Sequence, residues 1–324
     1  MNVKHATSTS IAISPENTTL LAGQSQTYTC IAYDSYFNGW DITSQTNWNV
    51  SSDAGGSLIG NVYDSDKAGT WNVTASNGIF STYASLTVKH GFAVNLILYP
   101  KNLTLTAGSA LAFYSSATDA YGNNWDSTNS SVFSIDSGAG GSWFNENVYD
   151  CARAGIWAIT SRLDFASDVA TLTVTHGPIV GINVVPGEAN LTAGCSQNYL
   201  ALGYDNYQNT WDLTNSSTFA INSEAGGSWS GGRYTSQNMG NWTVTVKDGD
   251  VQGICNLSVY CPIDFNYDWN VNFKDLQYFV AGYIAFNQND LYIPAYDLNH
   301  EGRINFMDLA IFVYDYGAYS QKYA

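Results

Sequence analysis

The feature that most constrains the fold of this chain is an internal repeat with a period of 85 or 86 residues. A period of this size is typical of tandem units that share one structure. We therefore predict three tandem domains, at residues 6–91, 92–177 and 178–261. Three motifs keep the period: Trp-Asp at 40, 125 and 211, Ala-Gly-Gly-Ser at 54, 139 and 225, and Gly-x-Trp at 69, 155 and 240.

Hydrophobic residues within each copy recur with period two, which indicates β-strands. Tyr28, Cys30 and Ala32 fall on one face of such a strand. Clusters of Gly, Asn, Asp and Ser interrupt these runs, and no helical stripe appears before the last quarter of the chain. Each copy must therefore close its core as sheet on sheet. We predict a mainly β protein with three small immunoglobulin-like sandwiches of about seven strands each, followed by a small α-helical domain at residues 262–324.

Charge and hydropathy exclude several classes of partner. The 324 residues carry 11 Lys and Arg against 27 Asp and Glu, a net charge of −16, so phosphate backbones and anionic membranes are repelled. No segment approaches the roughly 18 apolar residues that span a bilayer, and the first ten residues lack the apolar core of a signal peptide. We predict no nucleic-acid partner and no membrane insertion. An aromatic content of 15% with only 12% charged residues favours an extracellular or cell-surface protein.

The motifs around the Trp-Asp pairs carry a family resemblance. The pattern Asp-x-Tyr-x-Asn-x-Trp-Asp occupies 34–41, 119–126 and 205–212, and Leu-Thr-Val or Leu-Ser-Val closes each copy. With Ala-Gly-Gly-Ser and Gly-x-Trp, this pattern resembles the tandem immunoglobulin-like repeats of prokaryotic, especially archaeal, surface proteins over residues 6–260. The resemblance implies a spacer or adhesive array rather than catalysis.

The segments that join the copies share a further pattern. Val88-Lys-His90 precedes Pro100 by ten residues, and Val3-Lys-His5 precedes Pro15 by the same interval. We therefore expect residues 1–5 to be the remnant of a preceding repeat, or a strand that pairs with a neighbouring molecule.

Two Asp- and Asn-rich loops, 33 residues apart, precede apolar helical runs in the last segment. Each has oxygen-bearing side chains at loop positions 1, 3, 5, 9 and 12 and a backbone carbonyl available at position 7. This spacing suits Ca²⁺, which takes six to eight oxygens at flexible distances, whereas Mg²⁺ requires a tighter octahedron. We predict two calcium ions. Their ligands are Asp264, Asn266, Asp268, Asn270, Asn272 and Asp275 in loop one, and Asp297, Asn299, Glu301, Arg303, Asn305 and Asp308 in loop two.

The duplicated loops resemble a type I dockerin, in which Asp at position 12 is followed by Leu, as in Asp275-Leu276 and Asp308-Leu309. Trp269 departs from the family because Gly normally supplies the turn at position 6. Positions 10 and 11 usually carry small polar residues that contact a cohesin. They are Phe273, Lys274, Phe306 and Met307 here, which favours an apolar docking surface.

Cysteines and asparagines suggest covalent features. Of the five cysteines, Cys195 and Cys255 occupy an early and a last strand of one copy, and we predict a disulfide between them. Nine Asn-x-Ser/Thr sequons are candidate sites of N-linked glycans. All nine lie in the repeats: Asn17, Asn49, Asn72, Asn102, Asn129, Asn190, Asn215, Asn241 and Asn256.

These patterns favour a non-catalytic structural protein, a self-assembling surface filament or surface-layer subunit. Its calcium-folded tail would contact a β-sandwich of the next identical subunit head-to-tail. The alternative is a dockerin-bearing adhesion or glycan-binding module that docks onto a separate cohesin-type scaffold. The four histidines lie near no nucleophile motif, so we predict no enzyme.

Overall fold

The computed structural model describes residues 4–289 and 291–322 and shows a mainly β chain with two helices near its end. The chain divides into two compact units with the boundary after Thr175. The first unit holds two copies of the repeat, and the second holds the third copy and the helical tail. The first three residues of the expected remnant strand lie outside the described residues.

Each copy of the repeat contains ten strands in the same order. In the first copy these are β1 (Ser8–Ser14), β2 (Asn17–Leu21), β3 (Ser25–Thr27), β4 (Thr29–Asp34), β5 (Gly39–Asp41), β6 (Asn47–Val50), β7 (Ser57–Ile59), β8 (Val62–Asp64), β9 (Gly69–Asn77) and β10 (Phe80–Lys89). In the second they are β11 (Ala93–Tyr99), β12 (Asn102–Thr106), β13 (Ala110–Ala112), β14 (Tyr114–Asp119), β15 (Asn124–Asp126), β16 (Val132–Ile135), β17 (Ser142–Phe144), β18 (Val148–Asp150), β19 (Gly155–Leu163) and β20 (Ala166–Thr175). In the third they are β21 (Gly181–Val185), β22 (Glu188–Thr192), β23 (Ser196–Asn198), β24 (Leu200–Tyr204), β25 (Thr210–Asp212), β26 (Thr218–Ile221), β27 (Ser228–Ser230), β28 (Arg233–Thr235), β29 (Gly240–Asp248) and β30 (Val251–Tyr260).

The strands of a copy form three sheets around one core. In the first copy the sheets have the orders β1-β4-β5, β2-β10-β9-β6 and β3-β8-β7, and the other two copies repeat this topology. All pairs are antiparallel except β2 with β10 and its counterparts. Ile13, Cys30, Tyr63 and Leu86 bring all three sheets into one buried cluster.

More strands form than the sequence pattern predicts, because the chain passes from one sheet to another within runs that read as continuous. The Ser14–Pro15 peptide is cis, and the chain passes there from β1 in one sheet to β2 in another. A second change of sheet occurs at the Ala22-Gly23 turn, where Gly23 has a φ of +89° and separates β2 from β3.

The Ala-Gly-Gly-Ser motif is held by a buried tyrosine of the same copy. The Tyr63 hydroxyl donates to the carbonyls of Ala54 and Gly55 at 3.1 and 3.0 Å. Gly56 has a φ of +67°, and a Cβ there would lie 2.0 Å from the carbonyl oxygen of Asp64. Gly56 is therefore required both by its backbone conformation and by the close approach of β8.

The tail contains helices α1 (Phe273–Asn289) and α2 (Phe306–Lys322) around a small aromatic core. The buried rings of Phe279 and Phe312 are 5.8 Å apart, and Phe265 lies against both. Met239 of the third copy packs on this cluster, so the tail is seated against the end of that sandwich. Neither described helix has the length and hydropathy needed to cross a membrane. Short 3-10 turns lie at Thr43–Gln45, Ser137–Ala139, Ser223–Ala225 and Pro294–Tyr296.

Substitution of Gly56 by Ala should unfold the first repeat more easily. We expect a loss of at least about 3 kcal/mol in the free energy of unfolding, because a strained φ is combined with a collision against backbone. Gly60→Ala is the matched control, since Gly60 has a φ of +59° but no atom near its Cβ position. This variant should lose only about 1 to 2 kcal/mol. Chemical denaturation of both variants measures the difference, and equal losses would contradict the assigned contact.

Candidate metal loops and repeat junctions

The two Asp- and Asn-rich loops have the same internal hydrogen-bond framework. Asp275 at position 12 is fully buried, and its carboxylate accepts from the amides of Phe265 and Asn266 at 2.9 and 3.3 Å. Asp308 repeats these bonds with Leu298 and Asn299 at 2.8 and 3.2 Å. Each position-12 carboxylate therefore closes its loop by bonding the amides of positions 2 and 3.

Positions 9 and 12 also cap the helices that follow the loops. The Asn272 side chain accepts from the Lys274 amide at 2.9 Å, while Asp275 accepts from the Asn272 amide at 2.8 Å. Asn305 and Asp308 form the same reciprocal arrangement. This is a capping box in which the N-cap side chain bonds the second rather than the third helical amide, and it satisfies N–H groups that a helix start leaves unpaired. The Asn-x-x-Asp spacing is the sequence signal of this box, although these four residues were predicted only as metal ligands.

Position 1 differs between the loops in charge environment. Asp264 is buried, and its Oδ1 has no hydrogen-bond partner, while Oδ2 accepts from the Trp269 amide at 3.0 Å. Burial, with smaller contributions from Asp275 and Asp268, raises the pKa of Asp264. Asp297 instead accepts a hydrogen bond of 2.6 Å from the Tyr292 hydroxyl, which lowers the pKa of Asp297.

Position 6 makes the sharp turn in both loops despite the change of residue. Trp269 has a φ of +64° and Gly302 a φ of +83°, so both occupy the left-handed region. A bulky residue there carries backbone strain that Gly avoids. The backbone of loop one is therefore strained at position 6, whereas that of loop two is not.

The donor set of the loops suits a hard cation. The unpartnered Asp264 oxygen is buried beside other acidic groups, which is where a cation is most stabilising. Lys274 lies 3.9 Å from Asp268 and is largely exposed. Within the described residues, no group of three or more His, Cys, Asp or Glu side chains is arranged to hold a metal. The twelve predicted calcium ligands thus stay a prediction that relies on amide and carbonyl oxygens as well as carboxylates.

The four predicted interface residues lie at the start of the two helices. Phe273 is 65% exposed and Phe306 71% exposed, and Met307 is exposed as well. A shallow apolar groove of about 330 Å³ runs along α1. It is lined by Phe273, Leu276, Val280 and Ile284. The side chains available there match the predicted apolar surface, but their role as an interface stays a prediction.

A second recurrent site lies where the chain enters each repeat, at the first aspartate of the Asp-x-Tyr-x-Asn-x-Trp-Asp pattern. Asp119 is buried, and its Oδ2 accepts from the amide of Gly91 in the connecting segment at 2.7 Å. Its Oδ1 accepts from the Tyr121 and Asn123 amides, both at 2.9 Å. Asp34 bonds Ala6 in the same way, and Asp205 bonds Gly177.

A histidine next to each of these amides stacks on the tryptophan of the Trp-Asp pair. The ring centroids are 3.6 Å apart for His5–Trp40 and His90–Trp125, and 3.7 Å for His176–Trp211, with planes within 9° of parallel. One carboxylate and one ring stack therefore fix the entering chain in all three copies. We call each of these aspartates, together with the stacked His and Trp rings beside it, a junction clamp.

Hydrogen bonding determines the ionisation of the clamp carboxylates. The Asn38 side chain and the Ala6 amide lower the pKa of Asp34 to about 2. Burial raises the pKa of Asp119 and Asp205, but their hydrogen bonds outweigh it and the net shift is downward for both. The clamps are thus built around charged carboxylates.

The predicted Cys195–Cys255 disulfide is wrong. Cys255 points into the core, while Cys195 is exposed in the turn after β22. Thr192, three residues before Cys195, pairs with Tyr260 in the parallel β22–β30 ladder. Cys255 lies five residues before Tyr260 on β30, so it is displaced along the strand from the end of β22. At about 3.3 Å per residue this offset is about 16 Å, far beyond the Cα separation of about 7 Å that a disulfide tolerates.

The nine sequon asparagines all lie on the surface of the repeats. Seven of them are on strands of the four-stranded sheets, and Asn129 and Asn215 occupy equivalent turns. Exposure makes these side chains accessible to a modifying enzyme, but whether glycans are attached stays a prediction.

Comparison with known proteins gives a distant relation. No family model matches the chain. It is 26% identical over 221 residues to Ice-binding protein 1 of Shewanella frigidimarina (strain NCIMB 400), a match that covers 64% of this chain and 23% of that protein. Similar solved structures include domains 1–6 of the surface layer protein SbsC, with 14% identity, a TM-score of 0.27 and coverage of 80% of this chain and 41% of that one. Another is the I67–I69 fragment of titin, with 10% identity, a TM-score of 0.39 and coverage of 78% and 98%. TM-scores this low carry no argument about function.

Acid should weaken the repeats through the junction clamps. The pKa values of all three clamp aspartates are lowered below the value of about 3.9 of an unfolded Asp. Their stabilisation is therefore present above about pH 4 and is lost as the pH falls through the folded-state pKa, which is about 2 for Asp34. Thermal unfolding measured across this range should show a falling midpoint. A variant with all three aspartates replaced by Asn should be less stable at pH 7 and show a flatter acid response. An unchanged slope in that variant would contradict the assignment.

Calcium should bind the tail, and Trp269 within loop one is a natural fluorescence reporter. Asp308→Asn should abolish binding to loop two, and Asp275→Asn to loop one, because each removes a charged position-12 oxygen. Asp315→Asn, a change of the same type on α2 outside both loops, is the matched control. Calorimetry should give two sites for the parent and the control and one site for each loop variant. No heat at millimolar calcium would refute the metal loops.

Proposed function

We propose that this protein is a non-catalytic, extracellular structural subunit that assembles into a surface filament or layer. The observation that carries the proposal is the recurrence of one junction clamp at the start of all three sandwiches. A chain that needs only to link domains can use a flexible segment. Repetition of a buried, charged carboxylate at each entry instead favours a connection of defined geometry, which suits a load-bearing array.

The junction histidines support a structural rather than a catalytic role. Each stacks on a tryptophan, and each ring Nδ1 lies within 3.1 Å of a neighbouring backbone carbonyl. These rings are therefore occupied in holding the backbone. The relation to Ice-binding protein 1 extends over 221 residues, more than any single repeat, and the matched part is a minor share of that protein. This supports the use of such repeats as units of larger proteins.

The tail is proposed to be a dockerin-like coupling module. Residues 262–324 contain eight acidic and three basic side chains, so the two loops repel each other electrostatically. Ca²⁺ would supply the positive charge that these loops lack. Asp264, Asp297 and the other predicted ligands would hold it, while the capping boxes keep each loop in register with its helix.

The apolar ends of the two helices are proposed to contact a sandwich of the next identical subunit. Two copies that each carry a charge of −16 repel one another, so their contact must rely on apolar surface. The repeats offer such surface: Tyr99 and Tyr114 are stacked on an outer sheet face at 5.7 Å, next to the exposed Ile97. A contact between tail and sandwich is heterologous and does not close, so it propagates into a filament.

The second candidate is a module that docks onto a separate cohesin-type scaffold, with the repeats as adhesive or glycan-binding spacers. The duplicated loop and helix, with Asp-Leu at the start of each helix, favours it. The two candidates differ in whether the pure protein assembles.

Electron microscopy of the pure protein, with calcium and with EDTA, separates them. We expect filaments or sheets with calcium and monomers with EDTA. The variant with Phe273→Ser and Phe306→Ser should stay monomeric in both while still binding calcium. Ile79→Ser, which removes another exposed apolar side chain at a hairpin tip, should assemble normally. A parent that stays monomeric at millimolar calcium would exclude self-assembly and leave the scaffold-docking candidate.

A further inference from the structure

The loop between β14 and β15 of the second repeat docks onto the end of the first repeat. The Asn123 side chain donates to the Asp66 carbonyl at 2.7 Å and accepts from the Ala68 amide at 2.8 Å. The Tyr121 ring lies against Gly23, where a Cβ would stand 2.2 Å from the tyrosine oxygen. A loop of sequence Asp-x-Tyr-x-Asn thus contacts a glycine turn of the preceding sandwich and forms hydrogen bonds with one backbone carbonyl and one backbone amide there.

The first repeat carries the same loop in the same conformation. Asp34 Oδ1 accepts from the Tyr36 and Asn38 amides at 2.9 and 3.0 Å, as Asp119 does in the second repeat. Tyr36 is 79% exposed and Phe37 87% exposed, whereas Tyr121 is 48% exposed. In the described part of the chain, the Asn38 side chain bonds only Asp34.

The chain also enters the first repeat in the geometry of a repeat-to-repeat junction. The Ala6 amide donates to Asp34 at 2.9 Å, the counterpart of the Gly91–Asp119 bond. His5 stacks on Trp40 as His90 does on Trp125. The loop and the connecting segment therefore both have the conformation that, in the second repeat, accompanies contact with a preceding sandwich.

We propose that Tyr36, Phe37 and Asn38 form a docking surface for the glycine-turn end of a further β-sandwich of this repeat type. Asn38 would bond a backbone carbonyl and amide placed like those of Asp66 and Ala68, and Tyr36 would cover a glycine placed like Gly23. Phe37 occupies the position of Gly122, so it adds an apolar contact that the junction between the first two repeats lacks. This inference is independent of calcium and of the tail.

The third repeat of another copy presents this end only in part. Its residues that correspond to Asp66–Ala68 are Gln237–Met239, and Met239 packs into the core of the tail. The carbonyl–amide part of that end is therefore covered, whereas Gly194, the counterpart of Gly23, is exposed. The surface fits a sandwich whose glycine-turn end is open, as the end of the first repeat would be without the second.

Hydroxyl-radical footprinting of an extended chain tests this surface. A second copy of residues 6–90 is fused ahead of Ala6 of the full chain, so that His90 of the added copy takes the place of His5. We expect the reactivity of Tyr36 to fall toward that of Tyr121 and the reactivity of Phe37 to fall as well. Tyr83, exposed on β10 of the first repeat, should keep its reactivity.

Asn38→Ala in the extended chain should restore the reactivity of Tyr36, as Asn123→Ala in the parent should raise that of Tyr121. If Tyr36 and Phe37 stay as reactive in the extended chain as in the parent, while the added copy unfolds cooperatively, the docking surface is refuted.

Discussion

The structure depends on one interaction that occurs three times, a buried carboxylate that accepts the amide of the segment leading into each sandwich. Asp34, Asp119 and Asp205 each bind the entering chain and, with the same side chain, the turn that follows β4 or its counterpart. An unpaired carboxylate at such a site would be costly, so the turn and the connecting segment are ordered together. The stacked His and Trp rings complete the clamp.

Much of the fold follows from pattern alone. The period of the Trp-Asp and Ala-Gly-Gly-Ser motifs predicts three like domains, and alternation at Tyr28, Cys30 and Ala32 predicts that these residues share a buried face, which they do. The number of strands could not be predicted from the pattern, because the change of sheet at Pro15 and the turn at Gly23 both lie within runs that read as continuous in the sequence. The disulfide error has a related cause, since spacing alone could not show that Cys195 lies in the turn after β22, displaced along β30 from Cys255.

The candidate sites were predictable to different degrees. The loop residues of the tail could be located from spacing, but their hydrogen-bond partners could not: Asn272 and Asn305 cap helices, and Asp275 and Asp308 tie the loops to them. The junction aspartates stand out in the sequence as members of a repeated motif, but their bonds to residues 28 positions earlier depend on the three-dimensional fold. The hydrogen bonds of Asn123 could not be predicted from the pattern of a single repeat, because its partners Asp66 and Ala68 belong to the previous repeat. Local patterns thus identify the parts, and contacts between repeats decide how they are used.

The most direct measurement of the central claim is the distance distribution between the first two repeats. Spin labels at Ile79→Cys and Phe165→Cys, two exposed hairpin positions, in a Cys195→Ser background report it by double electron–electron resonance. A junction clamp predicts one narrow distribution at pH 7 that broadens in Asp119→Ala. A distribution that is already broad in the labelled parent, or one that Asp119→Ala leaves narrow, would contradict the role assigned to the carboxylate.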